Sequence, residues 1–447
     1  MQRWLATGMM ALAPLCITRG AIANGRFPQA QIIETVPGSA GETVFLRTTF
    51  GILVSRDAGK SWRWICERAL GYEGTWDPPI AVMRDGRLWV GLEGGLVSTL
   101  DGCVVERAPE LEGETIADLT TDPHGEMLWA ITGSPEKRNA IWRREPTGAW
   151  RRMGFAPENV HLMTIEVAPS RTSRLYVTGQ PYGEVRGQVF HSDDGGKTLH
   201  AHANALSESG PLFIAAVDPS EPSRVLLRHL HAAGSALLVT SDAGKTLSPV
   251  LEMKSAMFGF AKSTDGRTYW AGSGLPEHGI YRSTDRGKHF ERVSEHGVLC
   301  LHEAPGNRLF VCENGFKLGA PAVGLSTDEG STVRAIASFG DVEGPVACAA
   351  EGAAASLCAD AWPETRALVL PREAGAPKPV VEAGVSNDAG TQAPPPRKSA
   401  CGCSTIGERR ETGGRWWLVG LVPLAQWMRR SRRSGSAGPH PGQRCTR

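Results

Sequence analysis

Thr240-Ser-Asp242-Ala-Gly244-Lys-Thr246-Leu247 is followed, at an even spacing, by Ser283-Thr-Asp285-Arg-Gly287-Lys-His289-Phe290 and by Ser326-Thr-Asp328-Glu-Gly330-Ser-Thr332-Val333. The three aspartates stand 43 residues apart. A fixed period of that length marks a repeat architecture, in which one unit cannot bury its apolar face alone. Upstream, Ser192-Asp-Asp194-Gly-Gly196-Lys-Thr198-Leu199 precedes this series by 48 residues, and Ser55-Arg-Asp57-Ala-Gly59-Lys-Ser61-Trp62 lies 137 residues earlier still. That last gap holds about three periods, so two degenerate copies belong inside it. Ser98-Thr-Leu100-Asp101-Gly102 keeps the Ser and Gly but puts Leu where Asp belongs, and Ile141-Trp142-Arg143 to Gly148-Ala-Trp150 keeps the strand, the turn glycine and the aromatic.

Ahead of each copy runs a second apolar strand: Thr43–Leu46, Arg87–Val90, Met127–Ala130, Arg174–Val177, Arg224–Leu227, Arg267–Trp270 and Arg308–Val311. Several are preceded by turn signals such as Asp85-Gly86, Asp218-Pro219 and Asp265-Gly266, the punctuation of antiparallel hairpins. Seven such units, with 53 Gly, 30 Pro and only 21% charged residues in 447, predict an all-β chain: a seven-bladed β-propeller of four-stranded antiparallel blades. In each copy Gly supplies a positive φ between the third and fourth strands, the short Asp accepts N–H groups of its own turn, and the trailing Trp, Phe or Leu enters the core between blades. Asp57, Asp194, Asp242, Asp285 and Asp328 are therefore expected to be structural staples, since the turn occupies their carboxylates.

These five copies resemble the Asp-box, or BNR, repeats of bacterial sialidases, sortilin-type receptors, oligoxyloglucan hydrolases and photosystem II assembly factor-like proteins. The resemblance covers residues 31 to about 340. It implies the propeller fold and leaves function open, because those families share the repeat and differ in what they do. Seven blades fit the assembly factor-like group and the single propellers of the xyloglucan enzymes, whereas sialidases resemble six-bladed rings and sortilins ten.

The ends read differently. Residues 1–23 combine Arg3, an apolar stretch from Trp4 to Ile17 and Ala21-Ile22-Ala23, a secretory signal peptide with Asn24 as the mature start. The propeller is placed at 24–370. Residues 371–400 are rich in Pro, Ala and Gly and end Pro394-Pro-Pro396-Arg-Lys-Ser-Ala400, a disordered linker. Residues 401–447 carry Cys401-Gly-Cys403, an apolar stretch from Trp416 to Met428 and the cluster Arg429–Arg433. This segment resembles the MYXO-CTERM sorting tail of myxobacterial surface proteins, which implies processing near Cys401 or Cys403 and attachment to a membrane or lipid. Its apolar stretch is shorter than the roughly 20 residues a spanning helix needs.

Export makes the cysteines candidates for pairing. Cys300 and Cys312 flank the turn Pro305-Gly306-Asn307 symmetrically and would face each other on adjacent strands. Cys348 and Cys358 would close a short loop, and Cys66 and Cys103, on successive repeats, would clip two blades together. No CxxC pair of pairs argues for zinc, and no bound metal or cofactor is expected. The +1 net charge of the whole chain conceals a basic tail and an acidic body, and an acidic body argues against a nucleic-acid partner.

On the face opposite the Asp-box turns, the loops between second and third strands and the connections between blades carry Tyr72, Trp76, Tyr182, Glu184 and Phe316, the candidates for contact with a protein or glycan ligand. Aromatics on loops seldom help folding; the alternative, that each packs its own loop, carries equal weight for any one of them alone. A sialidase would need an arginine triad, a Tyr nucleophile with a Glu base, and an acidic Asp. Arg26-Phe27-Pro28 only loosely resembles that family's amino-terminal signature, and none of the five Tyr has an evident Glu partner. The rival reading, a glycoside hydrolase, would draw on Glu93, Glu184 and Glu313 in loops of one face. His229 and His231 alternate by two without a visible third ligand and read as a solvated pair, while His200 and His202 fall on an outer strand. The expectation is thus an exported, monomeric propeller that binds and does not catalyse.

Overall fold

The computed structural model describes residues 27–202, 206, 208–313, 320–349 and 353–370. Seven antiparallel sheets follow one another along the chain: Ala30–Ile65 (blade 1), Ile80–Arg107 (blade 2), Ile116–Phe155 (blade 3), Val160–His202 (blade 4), Leu212–Met253 (blade 5), Met257–Ser294 (blade 6) and Val298–Ser338 (blade 7). In each, four strands pair in sequence order. The first strand of every blade packs against the first strand of the next, and that of blade 7 against that of blade 1, so seven inner strands encircle one axis.

The turn between third and fourth strands explains why the repeat must have its sequence. In blade 1, Ser55 is buried and its hydroxyl donates to Asp57 Oδ1 (2.8 Å) while accepting the Gly59 N–H (2.8 Å). The Asp57 carboxylate in turn accepts the N–H groups of Lys60 (3.0 Å) and Ser61 (2.9 Å) and the Ser61 hydroxyl (2.7 Å). The same lattice recurs around Asp194, Asp242, Asp285 and Asp328. In blade 6, His289 Nδ1 takes the place of the last hydroxyl (2.6 Å). The residue between Asp and Gly lies in the left-handed region, as at Ala58 (φ 60) and Glu329 (φ 59), and Gly follows it with positive φ. Two successive left-handed residues are costly for side chains other than Gly, and the carboxylate lattice is what holds them. Trp62 closes the turn fully buried, whereas Leu199, Leu247, Phe290 and Val333 are partly buried against the cores between blades.

Blade 2 corrects the sequence reading by one residue. Thr99, not Ser98, supplies the hydroxyl to the Gly102 N–H (2.8 Å), and Asp101 is the staple, accepting Cys103 N–H (2.7 Å) and Val104 N–H (2.9 Å). One residue has been lost between Asp and Gly, and the roles have survived. Blade 3 has no staple: Glu145 and Ala149 close a plain hairpin through Glu145 N–H to Ala149 O (2.8 Å).

The ring closes by packing. All four strands of blade 1 come from the amino-terminal end, so blades 7 and 1 share no sheet. They meet through one buried cluster that includes Trp62, Trp64, Phe310, Val323 and Phe339. The chain after blade 7 then returns. Val342–Pro345 adds to the outer edge of blade 1 as a fifth strand, parallel to Trp62–Ile65. Helix α2, Ala353–Val369, packs against that strand and against the short helix α1, Glu67–Leu70, with Trp362 on Trp64 (5.5 Å between rings). Cys66 therefore pairs with Cys358, and Cys103 with Cys348. The expected Cys66–Cys103 and Cys348–Cys358 pairs are overturned because the returning segment runs between blade 1's edge and blade 2's turn and offers each blade one cysteine. Cys300–Cys312 forms as expected, across directly paired residues of blade 7.

The proposed signal peptide, linker and tail, with Cys401 and Cys403, lie outside the described residues. No described helix is long and apolar enough to cross a membrane.

Candidate functional site

The connection from blade 1 to blade 2 is built as a rigid shelf. Cys66 anchors the start of α1 through its disulfide, and Gly71 ends that helix in the left-handed conformation (φ 86), its N–H returning to Glu67 O (3.0 Å). Arg47, on the second strand of blade 1, reaches across to the carbonyl oxygens of Asp77 (3.4 Å) and Pro78 (2.7 Å). Between these anchors the chain folds over a cleft of about 210 Å³ lined by Tyr72, Glu73, Trp76, Leu92, Glu93 and Arg107. Tyr72 and Trp76 thus come together with Glu93, one of the acids of the rival reading. Tyr72 is buried (7% exposed) and belongs to the core between blades 1 and 2, so it shapes the cleft floor more than it offers a free surface. Trp76 is half-buried and donates its indole N–H to Gly91 O (2.9 Å).

The remaining candidates do not join this cleft. The Tyr182 hydroxyl donates to Ser134 O (2.6 Å) and braces blade 4 against blade 3. Glu184 is exposed in the loop beyond it. Phe316 lies outside the described residues. Of the three loop acids, Glu93 and Glu184 are exposed, whereas Glu313 is buried and paired with His296 (3.1 Å); they sit in blades 2, 4 and 7.

His229 is not solvated. It lies with His231 on the second strand of blade 5, 3% exposed, the two rings 5.3 Å apart, and burial depresses its pKa. The register of the long strand Val225–His231 carries it inward. His200 and His202 do fall on an outer strand, where His202 Nε2 meets His191 Nδ1 (2.7 Å). Among the described residues no group of three or more His, Cys, Asp or Glu is arranged to hold a metal ion.

Sequence reasoning missed a set of charges on the inner strands. Glu34 (blade 1), Asp118 (blade 3) and Glu166 (blade 4) stand around the axis with Lys262 (blade 6) and His302 (blade 7). Each keeps some solvent contact along the axis but is enclosed by the ring at longer range, so its charged form is poorly solvated. Burial, then the charges of Glu166 and Asp118, push Glu34 up to about 8. Burial takes Asp118 to about 7 against the pull of the Ile165 N–H (2.9 Å). Glu166 is raised by burial and partly offset by Lys262 and by the Thr120 hydroxyl (2.8 Å). His302 is held down to about 4 by burial and then by Lys262, with Thr35 Oγ1 2.9 Å from its Nε2. The signal was present in the sequence as charged residues inside apolar strands, Ile32-Ile33-Glu34 and Ile116-Ala-Asp118, which cost too much to be incidental.

No protein-family model and no curated protein matches the sequence. Solved structures do match in shape. Hydrazine synthase of Kuenenia stuttgartiensis aligns with a TM-score of 0.51 at 14% identity over 69% of this chain and 98% of the other. An ancestral GH74 enzyme gives 0.48 at 14% identity over 70% of this chain, which spans 45% of that enzyme's length. YCF48 from Cyanidioschyzon merolae gives 0.45 at 18% identity over 64% of this chain and 92% of the other. At these identities the likeness is one of fold alone.

Proposed function

We propose that this chain is an exported Asp-box propeller that acts as a non-enzymatic binding module, taking a protein or glycan ligand on the face opposite the carboxylate-stapled turns. The observation that carries this reading is the shelf between blades 1 and 2, where Trp76, Glu73, Glu93 and Arg107 border one cleft on a backbone fixed by a helix cap, a disulfide and Arg47. Rigid elements presenting an aromatic and mixed charges suit recognition. The three disulfides among the described residues accord with an oxidising compartment.

A second reading has one observation in its favour. Glu34, raised to about 8, would be largely protonated near neutral pH, and Asp118, raised to about 7, about half so; a glycosidase general acid must be protonated. The full chain incubated with sialosides and β-glucans separates the two. Binding predicts no released product. Product release lost in Glu34→Gln, Asp118→Asn or Glu93→Gln overturns it.

A further inference from the structure

The cleft on the shelf between blades 1 and 2 is narrow in what it can recognise. Its floor is apolar: Tyr72 and Leu92 are 7% and 3% exposed and belong to the core between the two blades. Trp76 gives its indole N–H to Gly91 O (2.9 Å), so the ring is fixed and brings apolar surface alone to the cleft. The polar groups are outermost, where Glu73, Glu93 and Arg107 are all exposed.

Those outer groups decide the chemistry. Glu93 and Arg107 have no side-chain hydrogen bond or ion pair among the described residues, and Glu73 has Arg68 at 3.4 Å on an exposed surface. With Arg68 counted, two carboxylates meet two guanidiniums, so net charge favours neither an anion nor a cation. A carboxylate only accepts hydrogen bonds and a guanidinium only donates them, whereas a hydroxyl does both. A neutral polyol therefore satisfies Glu93 and Arg107 together, while a charged ligand is repelled by one of them. A pyranose adds to its hydroxyls a face of C–H groups, which suits the negative π face of an indole; an amide side chain donates and accepts but has no such face. Size and access agree. The cleft of about 210 Å³ lies below the roughly 300–1,000 Å³ of sites that enclose drug-sized ligands, room for one ring and not for a folded loop,. A Cβ on Gly74 or Gly94 would meet nothing within 4 Å, so neither segment puts a side chain over the cleft.

We infer that the Trp76 cleft seats a single neutral pyranose ring, the terminal residue of a glycan, with its C–H face on Trp76 and its hydroxyls between Glu93 and Arg107. This rests on the binding reading above and narrows the ligand from a protein or glycan to an uncharged sugar.

The probes are the methyl β-glycosides of glucose, galactose, mannose and N-acetylglucosamine, each titrated into the ¹⁵N-labelled full chain while the Trp76 indole N–H signal is followed. Trp76→Phe assigns that signal, and methyl glucuronide and N-acetylneuraminic acid are the charged controls. At least one neutral glycoside is expected to shift it saturably, with saturation transfer strongest to the ring C–H protons. Glu93→Gln is expected to weaken binding about tenfold, and Gly94→Leu, which fills open space at the cleft, to abolish it. The other indole signals, unshifted in the free variants, report that both are folded. No neutral glycoside bound, a charged control bound as tightly, or binding undiminished in folded Glu93→Gln or Gly94→Leu would each overturn the inference. A peptide captured through Trp76 in place of any glycoside would overturn it and leave the binding reading standing, whereas methanol released from a bound glycoside would overturn both.

Discussion

Removing the two long-range disulfides tests how the ring is shut. Cys66–Cys358 and Cys103–Cys348 have sequence separations of 292 and 245 and are nested. With one intact, the other closes only a circuit of roughly 37 residues from Cys66 to Cys103 plus roughly 10 from Cys348 to Cys358, worth about 4 kcal/mol of unfolded-chain entropy. Once that one is gone, the survivor closes a loop of some 250 to 290 residues, worth about 5.5 kcal/mol. The loss is therefore more than additive: about 4 kcal/mol for Cys66→Ala/Cys358→Ala or for Cys103→Ala/Cys348→Ala, and about 9 to 10 for all four. With an unfolding entropy near 2.1 cal/mol/K per residue over roughly 340 residues, these correspond to falls in Tm of about 6 and about 13 °C. Calorimetry of the full chain measures them, and non-reducing peptide mapping checks the pairs. A quadruple variant no less stable than either double variant, or a map joining Cys66 to Cys103, would refute the reasoning.

Glu34→Gln should change stability in a pH-dependent way. The folded pKa of Glu34 lies above its unfolded value, so the group destabilises the fold increasingly as pH rises from about 4.5 towards about 8,. The variant should match the wild type near pH 4 and exceed it by roughly 1–3 kcal/mol at pH 9, discounted for solvent along the axis; denaturant titrations at the two pH values decide. Asp242 has the opposite sign. Hydrogen bonds from the Thr246 N–H and hydroxyl hold it down to about 2, so its contribution is present above pH 4 and is lost as pH falls towards 2. Asp242→Ala, which leaves these donors without their acceptor, should cost about 1–3 kcal/mol at pH 7 and clearly less at pH 2 in the same assay, where the carboxylate is partly protonated. Gly330→Ala should cost at least about 1 kcal/mol, since its φ of +88 is left-handed and its Cβ would press on Trp270 and Ile280 at 3.3 Å,; thermal melts read this.

What was legible in the sequence is what is local. The staple is written in eight consecutive residues because its hydrogen bonds span only four, as from Ser55 to Gly59, so the blade count could be read from the repeat. Where the repeat decays, roles outlast positions: Asp101 staples blade 2 although the spacing had assigned Leu100 that place. The disulfides were legible only for Cys300 and Cys312, which share a hairpin. Cys66 and Cys358 meet because a returning strand and helix pack on blade 1, and no local pattern announces that. Loop position singled out Tyr72 and Trp76, which line one cleft, but gave no sign of the inward pull on Tyr72. The acids around the axis escaped because inner strands were read for apolar residues, and the charges within them were passed over.

The most direct measurement is ligand capture on glycan and peptide arrays by the full chain beside Trp76→Ala and, as a remote control, Arg63→Ala, whose guanidinium pairs with Glu343 on the outer edge of blade 1. The account predicts a ligand retained by the wild type and by Arg63→Ala, lost with Trp76→Ala, and recovered chemically unchanged. Capture indifferent to Trp76, or a ligand returned cleaved, would contradict it.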